Sequence, residues 1–273
     1  MNIYKICQFL VICSGIILFL ALLIFLFVKY YEKNIVFFPI KNIEDSPLRI
    51  GLTFEDIYFP AEDGQNLNAW FLAKKSSDKV LLFFHGNAGN LGHRVDLLGI
   101  LSALEINIFI FDYRGYGNSS GKPSENGLYE DALGAYKYLI EKKGFSPENI
   151  IIYGKSIGTC PAIDLAAKKQ IGKLILDSGF SSAVDMGKLI IPILPLKIFM
   201  NLEFDSIRKI KLIKCDKLFI HSINDEIVPF KLGKKLYDHA SVPKEFISIT
   251  GSHNGSFYEH SDKLIKKIRE FIF

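Results

Sequence analysis

The sequence predicts an α/β fold in which a mostly parallel sheet is flanked by helices. From about residue 52 onward, short apolar runs alternate with segments of helical periodicity. Those runs are nearly continuous in apolar residues, which is typical of strands that helices cover on both faces. The chain has 273 residues, of which 49% are hydrophobic, so it is long enough for one large domain and too apolar for wholesale disorder.

Eight short runs and five helical segments justify this fold class. The first two runs flank the turn Glu62-Asp63-Gly64 and predict a pair of antiparallel strands. Predicted strands cover residues 54–59, 67–72, 80–84, 106–111, 150–153, 174–176, 217–220 and 246–249. Predicted helices cover residues 91–104, 128–143, 157–168, 231–240 and 262–271. Their alternation indicates one domain, over residues 51–273, with an eight-stranded sheet.

The N-terminal segment predicts a single transmembrane helix. Residues 6–28 contain no charge, and at about 1.5 Å per residue they can cross a hydrocarbon core of about 30 Å. The apolar run continues past the length of a cleaved signal peptide and lacks a small-residue cleavage site. Ile12, rather than a small residue, precedes Cys13, which argues against a lipoprotein signal. We therefore expect a membrane anchor at residues 1–28 and a linker at residues 29–50.

The charges leave the side of the membrane open and do not favour a nucleic-acid partner. Lys5 precedes the apolar run, and Lys29, Lys33 and Lys41 follow it, which is too small a difference to assign an orientation. The net charge of +4 is mild and evenly spread. The predicted partner is therefore a membrane, contacted through residues 6–28.

The four cysteines predict neither a disulfide framework nor a metal site. No CxxC or Cys/His metal spacing occurs in the sequence. Cys160 and Cys215 are expected to be small buried thiols.

Residues 181–212 are too long for a tight connection. The middle of this segment, residues 189–200, reads LIIPILPLKIFM and is apolar with two prolines. Two interpretations fit: a packed helical excursion, or a lid over an apolar pocket.

The sharpest motif is Gly154-Lys155-Ser156-Ile157-Gly158, which follows a predicted strand and opens a predicted helix. It fits the pattern G-x-S-x-G, in which a sharp strand-to-helix turn exposes the serine oxygen above the sheet. The helix N-terminus adds N–H groups and a positive dipole where an oxyanion would form. Ser156 is therefore the candidate nucleophile.

A serine nucleophile needs a base, and in sites of this type the acid and then the histidine follow the serine in the chain. His253 lies in a loop of small residues after the last predicted strand, and it is the candidate base. His221 is expected to be structural, and His239 and His260 are expected on the surface.

The candidate acid is Asp225, in the loop after the preceding strand, from which a carboxylate can orient the imidazole. Glu226 is the adjacent alternative, and Asp205 is a distant one. Asp225 could instead cap the helix that begins near residue 230, an interpretation weakened by the two intervening residues Pro229 and Phe230.

The loop His85-Gly86-Asn87-Ala88-Gly89-Asn90 also follows a predicted strand. The backbone N–H groups of Asn87 and Ile157 are the candidate oxyanion donors. Neither GxGxxG nor GxxxxGK[ST] is present, which argues against a phosphate-binding loop. His85 precedes the serine in the chain, so a structural role is expected for it.

Two charged residues near these motifs have less specific expectations. Arg114, in the run DYRGYG, is expected to brace a buried loop by contacting a carboxylate or carbonyl groups. Lys155, beside the candidate nucleophile, either binds an anionic substrate group or points to solvent, and solvent exposure is expected because it is usual for lysine.

These motifs together resemble the α/β-hydrolase superfamily, and within it the membrane-associated BEM46-like proteins and the branch of protein depalmitoylases. The runs HGNAGN, DYRGYGNSSGKPSE and SPENIIIYGKSIGT carry the resemblance, along with the loops of Asp225 and His253. The resemblance implies a serine hydrolase with Ser156, Asp225 and His253 as its triad, and it implies no metal and no organic cofactor.

The sequence departs from the family pattern in two kinds of place. Ser222 and Ser252 stand where the family usually has glycine, and neither change removes a catalytic group. The depalmitoylases attach to membranes through acylated N-terminal cysteines, whereas this chain has a hydrophobic span. That difference weakens the transfer of their substrate to this chain.

The sequence therefore predicts a membrane-anchored serine hydrolase that cleaves carboxylic ester or thioester bonds, on a small molecule or on acyl-chain or lipid substrates. One alternative is a peptidase or amidase, for which Glu203 and Asp205 are the nearby acidic candidates for binding a substrate amine. A second alternative, from another class, is a non-catalytic membrane scaffold.

Overall fold

The computed structural model describes residues 3–273, with the side chains of residues 28, 31 and 33–35 excepted. One eight-stranded sheet forms the centre of the molecule. Its strands are β1 (Glu55–Pro60), β2 (Asn66–Leu72), β3 (Val80–Phe84), β4 (Asn107–Phe111), β5 (Ile150–Lys155), β6 (Lys173–Asp177), β7 (Asp216–Ser222) and β8 (Lys244–Ile249). Their spatial order is β8-β7-β6-β5-β3-β4-β2-β1. The predicted eight-stranded α/β architecture is thus confirmed.

The sheet is antiparallel only at one edge. β1 pairs antiparallel with β2, and β2 pairs antiparallel with β4, where Ala69 lies opposite Phe111. Every pair from β4 to β8 is parallel. The carboxyl ends of the parallel strands therefore share one edge of the sheet, and the loops that follow them meet there.

Helices cover both faces of the sheet. In chain order, the α-helices of the described residues are α1 (Ile3–Val36), α2 (Val95–Ser102), α3 (Glu125–Glu141), α4 (Thr159–Lys168), α5 (Ala183–Ile190), α6 (Leu196–Phe199), α7 (Ser206–Lys209), α8 (Phe230–His239), α9 (Ser256–Glu259) and α10 (Ser261–Ile272). Successive residues of a strand point to opposite faces, so Leu82 and Phe84 join one core cluster while Leu81 and Phe83 join the other. This explains why the central strands are apolar at every position.

The predicted helix at residues 91–104 is shorter and irregular at its start. Residues Leu91–Arg94 form a 3₁₀ turn, and α2 follows it. The Asn90 side chain accepts a hydrogen bond from the Gly92 N–H at 3.0 Å and so fixes the tighter turn. The spacing of apolar residues does not distinguish the 3₁₀ turn from an α-helix, because Leu91 is buried in the turn just as Val95 is at the start of α2.

The long N-terminal helix α1 continues beyond the predicted end of the anchor at residue 28. Its segment Ile3–Phe27 is apolar and long enough to cross a membrane, and it is exposed. The end of the helix packs against the domain: Glu32 is buried, and so is Phe37, the residue after the helix.

The segment after α1 is attached to the domain. Phe38–Pro39 forms a short parallel pair with Ala88–Gly89, in the loop that follows β3. The Asn90 side-chain amide donates hydrogen bonds to the carbonyl groups of Ile40, at 3.0 Å, and of Asn42, at 2.7 Å. The chain that follows α1 thus runs beside the candidate oxyanion loop.

The insertion at residues 181–212 contains α5, α6, α7 and the 3₁₀ turn Ile210–Leu212. Ser182 caps α5 by accepting a hydrogen bond from the Asp185 N–H at 3.1 Å. Leu202 and Phe204 enter the core. The insertion is therefore a packed helical excursion at its base, and we call its outer part, residues 183–200, the lid.

Candidate active site

Ser156 lies on the sharp turn that joins β5 to α4, above the carboxyl edge of the sheet. Its backbone φ is +54°, in the left-handed region that residues with a side chain rarely adopt. A 3₁₀ turn over Ser156–Gly158 follows immediately. Strain of this kind persists only where the surroundings enforce it, and it is frequent at functional sites.

The two glycines of the motif make this turn possible. A Cβ on Gly154 would lie 2.8 Å from the Gly158 carbonyl oxygen, and one on Gly158 would lie 2.6 Å from the His85 carbonyl oxygen. Both distances are far below van der Waals contact. The turn therefore needs glycine at both positions to pack this closely against β3.

His253 lies within hydrogen-bond distance of both Ser156 and Asp225. Its Nε2 is 3.0 Å from Ser156 Oγ, and its Nδ1 is 2.7 Å from Asp225 Oδ2. An ionised carboxylate can only accept, so Nδ1 carries a proton and Nε2 is free to accept the serine proton. The imidazole is buried, and its orientation is fixed by the two contacts.

Asp225 is held as a carboxylate by its own loop. Its Oδ1 accepts hydrogen bonds from the N–H groups of Ile227, at 3.0 Å, and Val228, at 2.7 Å. Burial acts to raise the pKa of Asp225, but the hydrogen bond and charge of His253 and the Val228 N–H outweigh it, so the pKa is lowered. The same carboxylate thus organises its turn and orients His253.

The other acids and histidines considered from the sequence have different surroundings. Glu226 Oε2 accepts a hydrogen bond from the His253 backbone N–H at 3.0 Å, so it supports the histidine loop rather than the ring. Asp205 caps α7 through the Arg208 N–H at 3.3 Å. His221 is buried and donates through Nε2 to the Val228 carbonyl at 2.8 Å.

His239 and His260, the other two histidines that follow Ser156, form hydrogen bonds with groups outside the candidate triad. His239 is exposed at the end of α8, and its Nδ1 contacts the Lys235 carbonyl oxygen. His260 is half-buried and contacts the Thr250 hydroxyl at 3.0 Å.

The loop after β3 passes directly beside Ser156. A Cβ on Gly86 would lie 3.7 Å from Ser156 Cβ, which places the Gly86–Asn87 backbone next to the candidate nucleophile. Ile157 is in the first turn of the following helix, so its N–H has no acceptor within that helix. The loop that carries Asn87 thus passes beside Ser156, and Ile157 directly follows Ser156 in the chain.

A buried pair supports this loop from behind. His85 Nδ1 donates to the Gly86 carbonyl at 2.7 Å, because a carbonyl can only accept, and His85 Nε2 lies 3.3 Å from Asp112 Oδ1. Both side chains are fully buried. Tyr113 also donates to the His85 carbonyl at 2.9 Å. These contacts indicate how His85 acts structurally: it holds the turn that leads to Asn87.

Arg114 braces its loop as expected. Its guanidinium donates to Asp131 Oδ1 at 2.9 Å and to both oxygens of Asp63 at 2.8 and 2.9 Å. These contacts tie the loop after β4 to α3 and to the β1–β2 turn. Arg114 therefore has a structural role, in which it binds the carboxylates of Asp63 and Asp131.

The expected exposure of Lys155 is wrong. The side chain is buried, and its Nζ donates to Asp177 Oδ2 at 2.9 Å. Tyr153 donates to the same oxygen at 2.7 Å, and Ser178 donates to Oδ1 at 3.0 Å. β5 and β6 are neighbours in register, with Lys155 opposite Asp177, so the sheet pairing itself brings the two charges together.

Asp177 is a buried residue of the site that the sequence argument missed. Burial acts to raise its pKa, but the charge of Lys155 and the hydrogen bonds from Lys155, Tyr153 and Ser178 together lower it. A signal was present in the sequence, since an aspartate ends the otherwise apolar run LILD. A charge at that position demands a partner, and the adjacent strand end supplies one.

The two cysteines outside α1 are free thiols with no role in the site. Cys160 is buried and Cys215 is half-buried, and burial raises their pKa values to about 12 and about 11. Among residues 3–273, no group of three His, Cys, Asp or Glu side chains converges as a metal site would require.

Comparison with known proteins places this site in a family. Residues 79–200 match a family model described as the alpha/beta hydrolase fold. The chain is 39% identical over 221 residues to protein bem46 of Schizosaccharomyces pombe, an alignment that covers 74% of this chain and 73% of that protein. It is also 37% identical over 199 residues to alpha/beta hydrolase domain-containing protein 17B of Xenopus laevis, covering 72% of this chain and 67% of that one.

The chain belongs to the BEM46-like α/β-hydrolase family.

The resemblance to the BEM46-like proteins that was inferred from the motifs is therefore confirmed. An uncharacterised protein of Mycobacterium tuberculosis is 30% identical over 252 residues, which cover 91% of this BEM46-like chain and 90% of the relative. An esterase of Pyrococcus furiosus has the same fold, with a TM-score of 0.72 at 20% identity over 86% of this chain and 95% of that one.

Proposed function

We propose that this BEM46-like protein is a membrane-anchored serine hydrolase that cleaves carboxylic ester or thioester bonds. The observation that carries the proposal is the unbroken hydrogen-bonded line from Asp225 through His253 to Ser156, ending at a serine in a strained turn. An arrangement of this kind is recognised by its geometry and by the role of each group.

In the proposed mechanism, Ser156 Oγ attacks the acyl carbonyl while its proton passes to His253 Nε2. Asp225 holds the imidazole in the required tautomer and stabilises the imidazolium that forms. The Asn87 and Ile157 N–H groups stabilise the tetrahedral oxyanion. His253 then gives its proton to the leaving group, and water releases the acyl group from Ser156 by the reverse sequence.

Two observations favour an acyl-chain or lipid substrate. The apolar helix Ile3–Phe27 can hold the domain at a bilayer, and the lid exposes further apolar side chains. An enzyme positioned in this way meets acyl chains at high local concentration. The esterase among the structural neighbours is compatible with ester cleavage, although it supports the fold only.

The alternatives raised by the sequence have less support. A peptidase would need a carboxylate to bind the substrate amine, but Asp205 is engaged in capping α7 and Glu203 is exposed. A non-catalytic scaffold would not need Ser156, His253 and Asp225 to be aligned.

The test is labelling of the full-length protein in detergent with a fluorophosphonate, beside Ser156→Ala. We expect covalent labelling of the parent alone. Hydrolysis of p-nitrophenyl esters from two to sixteen carbons would then define the acyl length. A folded parent that neither labels nor turns over any ester would reject the hydrolase assignment and favour the scaffold.

A further inference from the structure

The lid presents an apolar surface beside the end of α1. Ile190, Ile193 and Ile198 are 78%, 93% and 72% exposed. These three residues define what we call the isoleucine surface. The lid packs through its other side, where Leu196 is buried and a Cβ on Gly187 would lie 2.8 Å from it. The isoleucine surface thus lies on the side of the lid opposite to its packed side and remains exposed.

Two contacts hold the lid along the last turns of α1. The rings of Phe25 and Phe199 lie 6.2 Å apart, at the apolar end of α1. Seven residues later, the buried Glu32 carboxylate accepts hydrogen bonds from the N–H groups of Asn201, at 2.9 Å, and Leu202, at 2.7 Å. The two contacts are about 10 Å apart along the helix. The lid is thus aligned with the end of the apolar segment.

Glu32 is suited to hold the lid in place. The Asn201 side-chain amide also donates to Glu32, at 3.1 Å, so three donors satisfy one buried carboxylate. Two of these three donors are backbone N–H groups at the base of the lid, which are present whatever the side chains around them. A carboxylate that lost these donors would be left buried without compensation.

The charges of the lid match a lipid interface. The lid contains two exposed lysines, Lys188 and Lys197, and one acidic residue, Asp185, which is paired with Lys235 at 2.7 Å. Lys29 adds a third cation on α1, with its Nζ 5.4 Å from the Phe25 ring centroid. Isoleucines flanked by lysines are typical of segments that lie at the boundary between headgroups and acyl chains.

We propose that the isoleucine surface inserts into the bilayer at the point where α1 leaves it, with Glu32 fixing the depth. This inference rests on the proposed membrane anchoring. The lid begins after β6, the neighbour of the strand that carries Ser156, so insertion turns the carboxyl edge of the sheet toward the lipid. Acyl chains then approach Ser156 along the lid without crossing water.

Tryptophan quenching by brominated acyl chains tests the insertion in the full-length protein. Three variants are reconstituted in nanodiscs of phosphatidylcholine and phosphatidylglycerol: Ile193→Trp in the lid, Leu20→Trp in α1, and Tyr58→Trp on the exposed edge strand β1. Native Trp70 is buried and common to all three. We expect quenching of the first two to exceed that of Tyr58→Trp by at least twofold.

Each other outcome overturns the proposal in a distinguishable way. Quenching of Leu20→Trp without Ile193→Trp rejects lid insertion and leaves anchoring intact. Quenching of neither rejects both. An Ile193→Trp emission that depends on protein concentration and not on bromination identifies a second copy of the chain as the occupant. Catalysis plays no part in the readout, so the result is independent of the hydrolase assignment.

Glu32→Gln, made in the Ile193→Trp protein, tests how the lid is held. Glutamine keeps the shape but replaces one acceptor oxygen with an NH₂ group, which then faces either the Leu202 N–H or the two donors of Asn201. We expect at least a twofold loss of Ile193→Trp quenching, and no change for Leu20→Trp. The matched control is Glu44→Gln, an exposed residue of the segment after α1. Equal quenching in Glu32→Gln and its control would overturn the role of Glu32.

Discussion

At the scale of single residues, the two adjacent acids Asp225 and Glu226 have separate jobs. Asp225 contacts the His253 ring, whereas Glu226 contacts only the His253 backbone N–H. The sequence alone favours Asp225 as the acid because of its position in the loop. In the structure the two residues contact different atoms of His253. A loss of charge at the two positions should therefore have very different effects.

We predict that Asp225→Asn lowers kcat by about 10³- to 10⁴-fold, because an amide at this position favours the wrong tautomer of His253. Glu226→Gln keeps an acceptor oxygen for the His253 N–H and should cost less than about tenfold. Ester hydrolysis by the purified variants measures both. If Glu226→Gln proved the more damaging change, the acid would have to be reassigned.

Lys155 and Asp177 form the second residue-scale case, a buried ion pair beneath the candidate nucleophile. Removing one partner of such a pair leaves an uncompensated charge, whereas removing both does not. We predict that Lys155→Met lowers the free energy of unfolding by about 3–5 kcal/mol, and that adding Asp177→Asn restores most of it. Urea unfolding of the single and double variants measures this, and additive losses would contradict it.

The same pair predicts a pH dependence. The pKa of Asp177 is lowered in the folded state, so its stabilising contribution is complete above its unfolded value of about 4 and is lost as the pH falls through the folded value. The parent should therefore lose stability relative to the Lys155→Met/Asp177→Asn protein as the pH falls below about 4. A difference that stays constant between pH 7 and pH 3 would count against an ionised Asp177.

At the scale of elements, the turn between β5 and α4 depends on its glycines. We predict that Gly158→Ala destabilises the protein by about 1–3 kcal/mol or prevents folding, because the new methyl meets the His85 carbonyl oxygen, which belongs to backbone and cannot swing away. Gly15→Ala is the control, since nothing lies within 4 Å of a Cβ there. Thermal unfolding measures both proteins. Equal stability of Gly158→Ala and Gly15→Ala would show that the motif does not require close approach of Gly158 to the His85 backbone.

The short pairing of Phe38–Pro39 with Ala88–Gly89 links the segment after α1 to the candidate oxyanion loop. Asn90 completes the link through the carbonyl groups of Ile40 and Asn42. We predict that Asn90→Ala lowers kcat by about 10- to 100-fold with little change in KM, since it loosens the loop whose Asn87 N–H we propose as an oxyanion donor. Asn42→Ala, an exposed neighbour, should leave kcat unchanged. A rise in KM alone in Asn90→Ala would mean that the loop binds substrate instead.

At the scale of the whole molecule, α1 combines an exposed apolar segment with an end that packs against the domain. The segment Ile3–Phe27 is exposed, whereas the following turn is tied to the lid by Glu32. We predict that the expressed chain keeps its full 30.9 kDa mass and stays in carbonate-washed membranes, because the apolar run is long enough to span a bilayer. A shortened chain in the soluble fraction would identify a cleaved signal sequence instead.

The sequence by itself determined the layout of this protein. Apolar periodicity located the eight strands to within two residues at each end, because strands covered on both faces must be apolar throughout. The spacing of G-x-S-x-G between a strand and a helix singled out Ser156 for a local physical reason, since the turn is built from neighbouring residues. Chain order left four candidate bases, and position in a loop after a predicted strand then favoured His253. The same position favoured Asp225 as the acid, with Glu226 and Asp205 as alternatives.

Only the tertiary structure decided how distant residues meet. Lys155 was expected in solvent, yet the register of β5 with β6 places it against Asp177. Glu32 meets a backbone that lies 169 residues away, and Asn90 contacts the segment after α1. A local pattern can mark a charge that will be buried, as the aspartate that ends the run LILD does, but it does not identify the partner. The partner in each of these contacts is set by strand order and helix packing. Local sequence patterns therefore identified the candidate catalytic residues, whereas long-range packing determined which residues surround them.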